Sequence, residues 1–297
     1  MKFRAHETFF IRKGWLYKGL RGVQNNQNVF IDKSENPMDV LGMGSNMVKS
    51  LRYWMQATQL TTESSVKGRS RAQTLTDFAQ IIQENDPYME ELGTLWLLHY
   101  KLATNKELAT AWYYFFNHFD MNEFTRNDFV EGLSRFAAME EEYPAEASLE
   151  DDFNCIINTY VERKKLNPAK AQPESNIACP LDELGLIEVT EQNGNRDRVF
   201  RKATPKSGII HPYILLAVIA DQAEGRREIK IDELQHAACN IGKVFNLDIV
   251  SLTAELDHLA RLGYVEVIRT AGLDVVKILS DLTYQECINA YYTSLNR

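Results

Sequence analysis

No apolar run in this 297-residue sequence approaches the roughly 20 residues that a helix needs to cross a bilayer, so no membrane partner is expected. The opening residues, Met1-Lys-Phe-Arg-Ala-His-Glu7, have neither an apolar core nor a cleavage-site pattern, so no signal peptide is expected and the chain reads as cytoplasmic. Cysteine is scarce and scattered: Cys155, Cys179, Cys239 and Cys287 form no C-x-x-C pair, which argues against a disulfide frame and a zinc site. The glycine-rich phosphate and dinucleotide loops and the G-x-S-x-G elbow are missing, as is a spaced carboxylate cluster of the nuclease kind. These gaps leave no cofactor, no metal and no reaction to expect.

What is present is an uneven charge. The net charge is −8, from 33 Lys and Arg against 41 Asp and Glu. Residues 1–71 hold 12 of the basic and only 5 of the acidic side chains, leaving 21 and 36 for the rest. Nonspecific DNA affinity comes from cations facing phosphates, so the N-terminal segment alone suits double-stranded DNA. The acidic remainder suits protein contacts.

Within the basic segment, Leu41-Gly-Met-Gly-Ser-Asn-Met-Val-Lys-Ser-Leu-Arg-Tyr-Trp-Met-Gln-Ala-Thr58 organises the reading. Asn36 and Pro37 open a short helix that Gly42 and Gly44 break, and Ser45 caps a second. Met47, Val48, Leu51, Trp54, Met55 and Thr58 fall on one stripe of that second helix and are expected inside. Lys49, Arg52, Tyr53 and Gln56 fall on the opposite face. Helix, glycine turn and a helix with a cationic outer face is a helix-turn-helix pattern. A hairpin should follow, Leu60–Glu63 returning at Gln73–Leu75, with Lys67, Arg69 and Arg71 in and beside its tip. The expected DNA-contacting set is Ser45, Asn46, Lys49, Arg52, Tyr53, Gln56, Lys67, Arg69 and Arg71. Ordinary solvated charges on a helical hairpin would give the same local pattern.

The remainder reads as α+β, mainly helical with small β-wings: two winged-helix units flanking a helical one. The expected divisions are 1–76, 77–170, a connector with a hairpin over 171–204, and 205–297. Gly14–Leu20 forms an opening helix. Thr76 caps Asp77–Gln83, and Asp86-Pro87 signals the next start. Glu91–Leu102 is apolar nearly all round, as a central helix would be, and His99 within it suits a buried, hydrogen-bonded role. The aromatic block Ala109–Phe119 could stack bases, but helical spacing favours core packing. Helices are expected at Phe129–Met139 and Phe153–Lys165, the latter ended by Asn167-Pro168, and strands at Ile187–Thr190 and Val199–Arg201 across Asn193-Gly194. The last unit runs helix Pro212–Ala223, strand Ile229–Ile231, helix Glu233–Asn240 behind Asp232, a Leu252–Leu262 helix ended by Gly263, and paired strands Tyr264–Arg269 and Leu273–Leu279. Helix Tyr284–Leu295 closes the chain. Glu255, Asp257, His258 and Arg261 give this second unit no cationic face.

Three segments, Phe3-Arg-Ala-His-Glu-Thr-Phe9, Gly42-Met-Gly-Ser-Asn-Met-Val-Lys-Ser-Leu-Arg-Tyr-Trp54 and Asp86-Pro-Tyr-Met-Glu-Glu-Leu-Gly-Thr-Leu-Trp-Leu-Leu-His-Tyr100, resemble the signature blocks of a bacterial domain-of-unknown-function family. Cys179-Pro-Leu-Asp-Glu-Leu-Gly-Leu186 resembles a later block. The resemblance implies a setting in phage-defence or DNA-modification islands, often beside phosphoadenosine phosphosulfate reductase-like genes, as in phosphorothioation-type systems. With the charge pattern it leads to a non-catalytic DNA-binding subunit whose C-terminal unit recruits a partner enzyme or pairs two copies. A protein–protein adaptor without DNA contact, a transcriptional regulator, and an enzyme using His6, Glu7 or Cys179 are the alternatives. His6 and Glu7 do not complete H-E-x-x-H, because position 10 is Phe.

Overall fold

The computed structural model describes residues 1–66, 70–162, 178–193, 197–270 and 273–295. Lys67 and Arg69, Asn167-Pro168, Gly194 and Ala271-Gly272 lie outside them.

The chain opens with an irregular hook over residues 1–14, in which Arg4, Glu7 and Thr8 adopt positive φ. Three helices follow, α1 (Trp15–Asn25), α2 (Pro37–Leu41) and α3 (Ser45–Ala57), then the antiparallel hairpin β1 (Thr61–Val66) and β2 (Ser70–Leu75). Asn36 caps α2 by accepting from the Met38 N–H, and Gly42 ends it in the left-handed conformation that favours glycine. Gly44, not Ser45, is the residue before α3, and no side chain caps that helix.

Helices α4 (Asp77–Asn85), α5 (Leu92–Ala103) and α6 (Thr110–Asn117) come next. Asp86 does not begin a helix. Its carboxylate accepts from Glu90 N, Glu91 N and the Thr94 hydroxyl, so it satisfies the amino end of α5 from six residues upstream. Strand β3 (Glu123–Phe124), helix α7 (Arg126–Met139), helix α8 (Glu146–Tyr160), a 3₁₀ turn at Pro180–Leu184, and strands β4 (Ile187–Asn193) and β5 (Asp197–Lys202) complete the middle of the chain. These strands form one antiparallel sheet in the order β3-β5-β4, so the expected connector pairs with the expected helical unit. Helix α8 starts seven residues before Phe153. The acidic stretch around Leu149 is helical because Leu149, Phe153 and Ile156 all face the core.

The last part runs α9 (Pro212–Ala223), β6 (Glu228–Lys230), α10 (Ile231–His236), α11 (Ile241–Val244), α12 (Ile249–Arg261), β7 (Val265–Thr270), β8 (Leu273–Ile278) and α13 (Tyr284–Leu295), with the sheet ordered β6-β8-β7. The expected helix Glu233–Asn240 is shorter and earlier: α10 spans Ile231–His236, residues 237–240 are not helical, and α11 begins at Ile241. Glu255 departs from its expected exposed position: it is buried and accepts from Gly208 N at 2.7 Å and the Ser207 hydroxyl at 3.3 Å.

Buried side chains from every part of the chain form one continuous core. Helix α5 lies at its centre, with only Leu92 and Lys101 reaching solvent. His99 on α5 is fully buried. Its Nε2 faces the Val244 carbonyl at 2.5 Å and so carries the proton, leaving Nδ1 to accept from the Tyr160 hydroxyl at 2.8 Å. The Tyr291 hydroxyl of α13 accepts from Gly93 N, while the Tyr292 and Thr94 hydroxyls lie 2.6 Å apart. Lys202 of β5 donates to the carbonyls of Phe115 and Phe119 near the end of α6, and burial pushes its ammonium down to about 7.

Two outcomes follow. A Cβ at position 93 would stand 2.2 Å from the Tyr291 ring, so Gly93→Ala should cost about 1–3 kcal/mol, read as a lower denaturant midpoint. Burial also holds the His99 imidazole at about 4, below its ordinary 6.5. The unfolded chain therefore takes up the proton first as pH falls through 6.5, and stability drops between there and about 4, by up to about 3 kcal/mol. His99→Gln, which can keep both hydrogen bonds without titrating, should flatten that part of the stability profile; an unchanged slope would contradict the assignment.

Candidate nucleic-acid interface

Helix α3 is amphipathic, and its inner face is fixed by Val48, Leu51, Trp54 and Met55, all buried. The Trp54 indole donates to the Phe9 carbonyl at 2.9 Å and ties α3 to the N-terminal hook. Ser45, Asn46 and Lys49 lie on the exposed side, where Lys49 Nζ reaches Asn46 Oδ1 at 3.4 Å.

The other expected residues of this helix are placed differently. Tyr53 is buried, and its hydroxyl donates to the Leu108 carbonyl at 2.9 Å. Burial raises its phenol well above the ordinary value. Tyr53 is one residue past Arg52, and that step of about 100° turns it toward α6 and the core. Arg52 is engaged by the hairpin: Nε donates to Glu63 at 2.7 Å, and Nη2 stands 2.6 Å from the same carboxylate. Gln56 donates to Glu63 at 3.0 Å. Gln73 of β2 is buried, donates to the Arg52 carbonyl at 3.1 Å, and accepts from the Thr61 hydroxyl. Glu63 and Gln73 were not among the expected residues. Their link to Arg52 arises from strand register, not from local spacing, although Glu63 is the lone acidic residue of the hairpin sequence.

Arg71 on β2 is exposed, and Lys67 and Arg69 fall outside the described residues. Among the described residues Arg12, Lys18, Arg21, Lys33, Lys49 and Arg71 have no carboxylate within ion-pair distance. Arg12 lies over the rings of Phe9 and Trp15. Lys18 donates to the Leu41 carbonyl and so stands beside the turn that leads into α3. In the last part of the chain, Asp248 caps α12 and the start of that helix exposes Ile249 and Val250. That surface is apolar and acidic.

Of the alternative catalytic residues, His6 and Cys179 are buried, whereas Glu7 is exposed. His6 and Asp152 are buried and 2.8 Å apart, with the imidazole stacked beside Trp54. Burial raises the Asp152 carboxyl. Arg4 adds a backbone bond to Asp152 and an ion pair to Asp151, so this pair fastens the hook to α8. Cys179 is buried, and burial pushes the thiol of Cys155 well up, which disfavours a thiolate. Among the described residues no three of His, Cys, Asp and Glu converge as a metal site would require, and no helix is long and apolar enough to cross a membrane.

Arg52 and Glu63 each expose about a fifth of their side chains, so breaking the pair should be felt. Arg52→Ala is expected to destabilise the fold by about 1–3 kcal/mol. In a double-mutant cycle Arg52→Ala and Glu63→Ala should be coupled by at least about 0.5 kcal/mol; additive losses would show that the pair contributes nothing.

A family model described as "Protein of unknown function (DUF4007)" matches residues 3–292. Two similar solved structures support the fold. One, described as a magnesium ion-bound SspB crystal structure, is 29% identical with a TM-score of 0.86, covering 99% of this chain and 89% of that one. The other, described as an SspB crystal structure, is 28% identical with a TM-score of 0.81, covering 99% of this chain and 87% of that one. No curated protein matches. This chain belongs to the DUF4007 family of proteins of unknown function.

Proposed function

We infer that this protein is a DNA-contacting subunit of a bacterial phage-defence or DNA-modification system, meeting duplex DNA through its N-terminal part. The order α1–α2–α3–β1–β2 supports a winged-helix reading of residues 1–76, and α9–β6–α10–α12–β7–β8 supports a second over 205–297. The observation that carries the reading is the set of N-terminal cations left without carboxylates, with Lys49 on the outer face of α3. In the proposed contact, Ser45, Asn46 and Lys49 face the major groove, and Arg71 with Lys67 and Arg69 holds phosphates from the hairpin. Arg52 and Gln56 act indirectly, by fixing the hairpin against α3. Tyr53 takes no part in DNA contact.

The C-terminal unit has a different proposed role. With Glu255 turned inward and Ile249 and Val250 exposed, it is suited to a partner protein or a second copy and not to phosphate. An adaptor that never touches DNA is the second reading, favoured by the engagement of Arg52 with Glu63. One similar structure is described as magnesium ion-bound. The described residues of this chain offer no matching cluster of donors, so the proposal routes no step through a metal.

Binding to mixed-sequence duplex across a salt series tests the reading. Wild type should give a log–log slope of several units, and Lys49→Ala should reduce that slope by about one and weaken binding of all sequences. Lys49→Ala is preferable to Arg52→Ala because Lys49 holds no other element in place. No binding at low salt would leave the adaptor.

A further inference from the structure

The structure contains a cavity of about 490 Å³ between the end of α3, the hairpin, α4, α5 and α13; Gln56 lines it, but Ser45, Asn46 and Lys49 do not. Its lining includes Lys101, Phe78 and Tyr284 together with Gln59, Glu63 and Asp77. Lys101 is one of only two residues of α5 that reach solvent. Its ammonium stands 4.2 Å from the centre of the Tyr284 ring and 5.6 Å from that of Phe78. It forms no hydrogen bond or ion pair among the described residues, and burial pushes it below its ordinary value, opposed by the nearby Asp221 carboxylate. An ammonium held among aromatic faces without an acceptor is poised for an anion.

Much of the remaining lining is polar. Gln59 ends α3 in the left-handed region at φ 56°, an uncommon conformation for glutamine, and its backbone oxygen is held by the Thr76 hydroxyl at 2.8 Å. Its side-chain amide has no partner among the described residues. Asp77 and Glu63 supply carboxylates: Asp77 accepts from Gln285, and Glu63 accepts from Arg52 and Gln56 through Oε1. A cation, ring faces, a free amide and carboxylates together match the parts of a nucleotide: phosphate, base and ribose hydroxyls. A bare phosphate would leave most of the volume unfilled, since cavities of this size suit small organic ligands.

We propose that this cavity binds a nucleoside monophosphate, with its phosphate on Lys101, its base against Tyr284 and Phe78, and its ribose hydroxyls toward Asp77 and Glu63. The site is separate from the proposed DNA surface and stands or falls independently of it. It joins the base of the hairpin to α13, so an occupant would touch elements that are far apart in the chain.

Calorimetric titration of the full chain with AMP, adenosine and inorganic phosphate tests this. AMP should bind with a Kd of about 1 mM or tighter, and adenosine and phosphate at least about tenfold more weakly. Lys101→Met, which keeps the stem and loses the charge, should weaken AMP at least about tenfold. Gln59→Asn, which tolerates the left-handed backbone, should weaken AMP while leaving phosphate unchanged. On wild type, reductive methylation of Lys101 followed by mass spectrometry should slow several-fold with AMP, a readout that needs no variant to fold. Absence of AMP binding at about 5 mM, equal affinity for phosphate and AMP, unchanged affinity in Lys101→Met, or methylation indifferent to AMP would each overturn the proposal.

Discussion

A neutral imidazole at the centre of the molecule ties α5 to both α8 and α11. His99 is surrounded by Trp96, Phe116, Tyr160 and Phe245 and bonds at once to Tyr160 of α8 and the Val244 carbonyl of α11. Protonation would leave Nδ1 pointing a hydrogen at a hydroxyl that now donates to it. The site is therefore built for one tautomer. The hydroxyls of Tyr291 and Tyr292 act alongside it, meeting the amino end of the same helix that the Asp86 carboxylate satisfies. Three elements thus converge on α5 through directed bonds, and the apolar core fills the space between them.

Much of this order could be read from residues near one another in sequence. Pro212–Ala223 and Tyr284–Leu295 are helices at the expected limits, because a proline start and a periodic apolar face are local signals. The central role of α5 and the buried histidine followed from a run apolar on nearly every side. What escaped depends on distance along the chain. Strand β3 is two residues long and exists only because β5 is beside it. Glu255 looked outward by helical phase, yet the Ser207–Gly208 turn folds over it.

The same limit governs the candidate interface. Periodicity separated the inner from the outer face of α3 but could not tell a free cation from an engaged one. Arg52 and Lys49 are equivalent by spacing. Register brings Glu63 to Arg52 and nothing acidic to Lys49, so one serves architecture and the other stays available. Tyr53 falls on the outer face by spacing, and it is buried because the segment before α6 receives its hydroxyl at Leu108. The cavity at Lys101 had no local signal at all, since its walls come from five separate elements.

The placement of tryptophan has an optical consequence. Trp15, Trp54, Trp96 and Trp112 are all almost wholly shielded from water, and no tryptophan follows Trp112. Intrinsic fluorescence therefore reports the first 112 residues with a blue emission in the folded state and is blind to most of the remainder. Circular dichroism samples every helix. The two signals will trace a single transition only as long as the bonds converging on α5 transmit the loss of the C-terminal elements to the indoles. Any separation between the curves would measure, in the light emitted, how far that coupling extends.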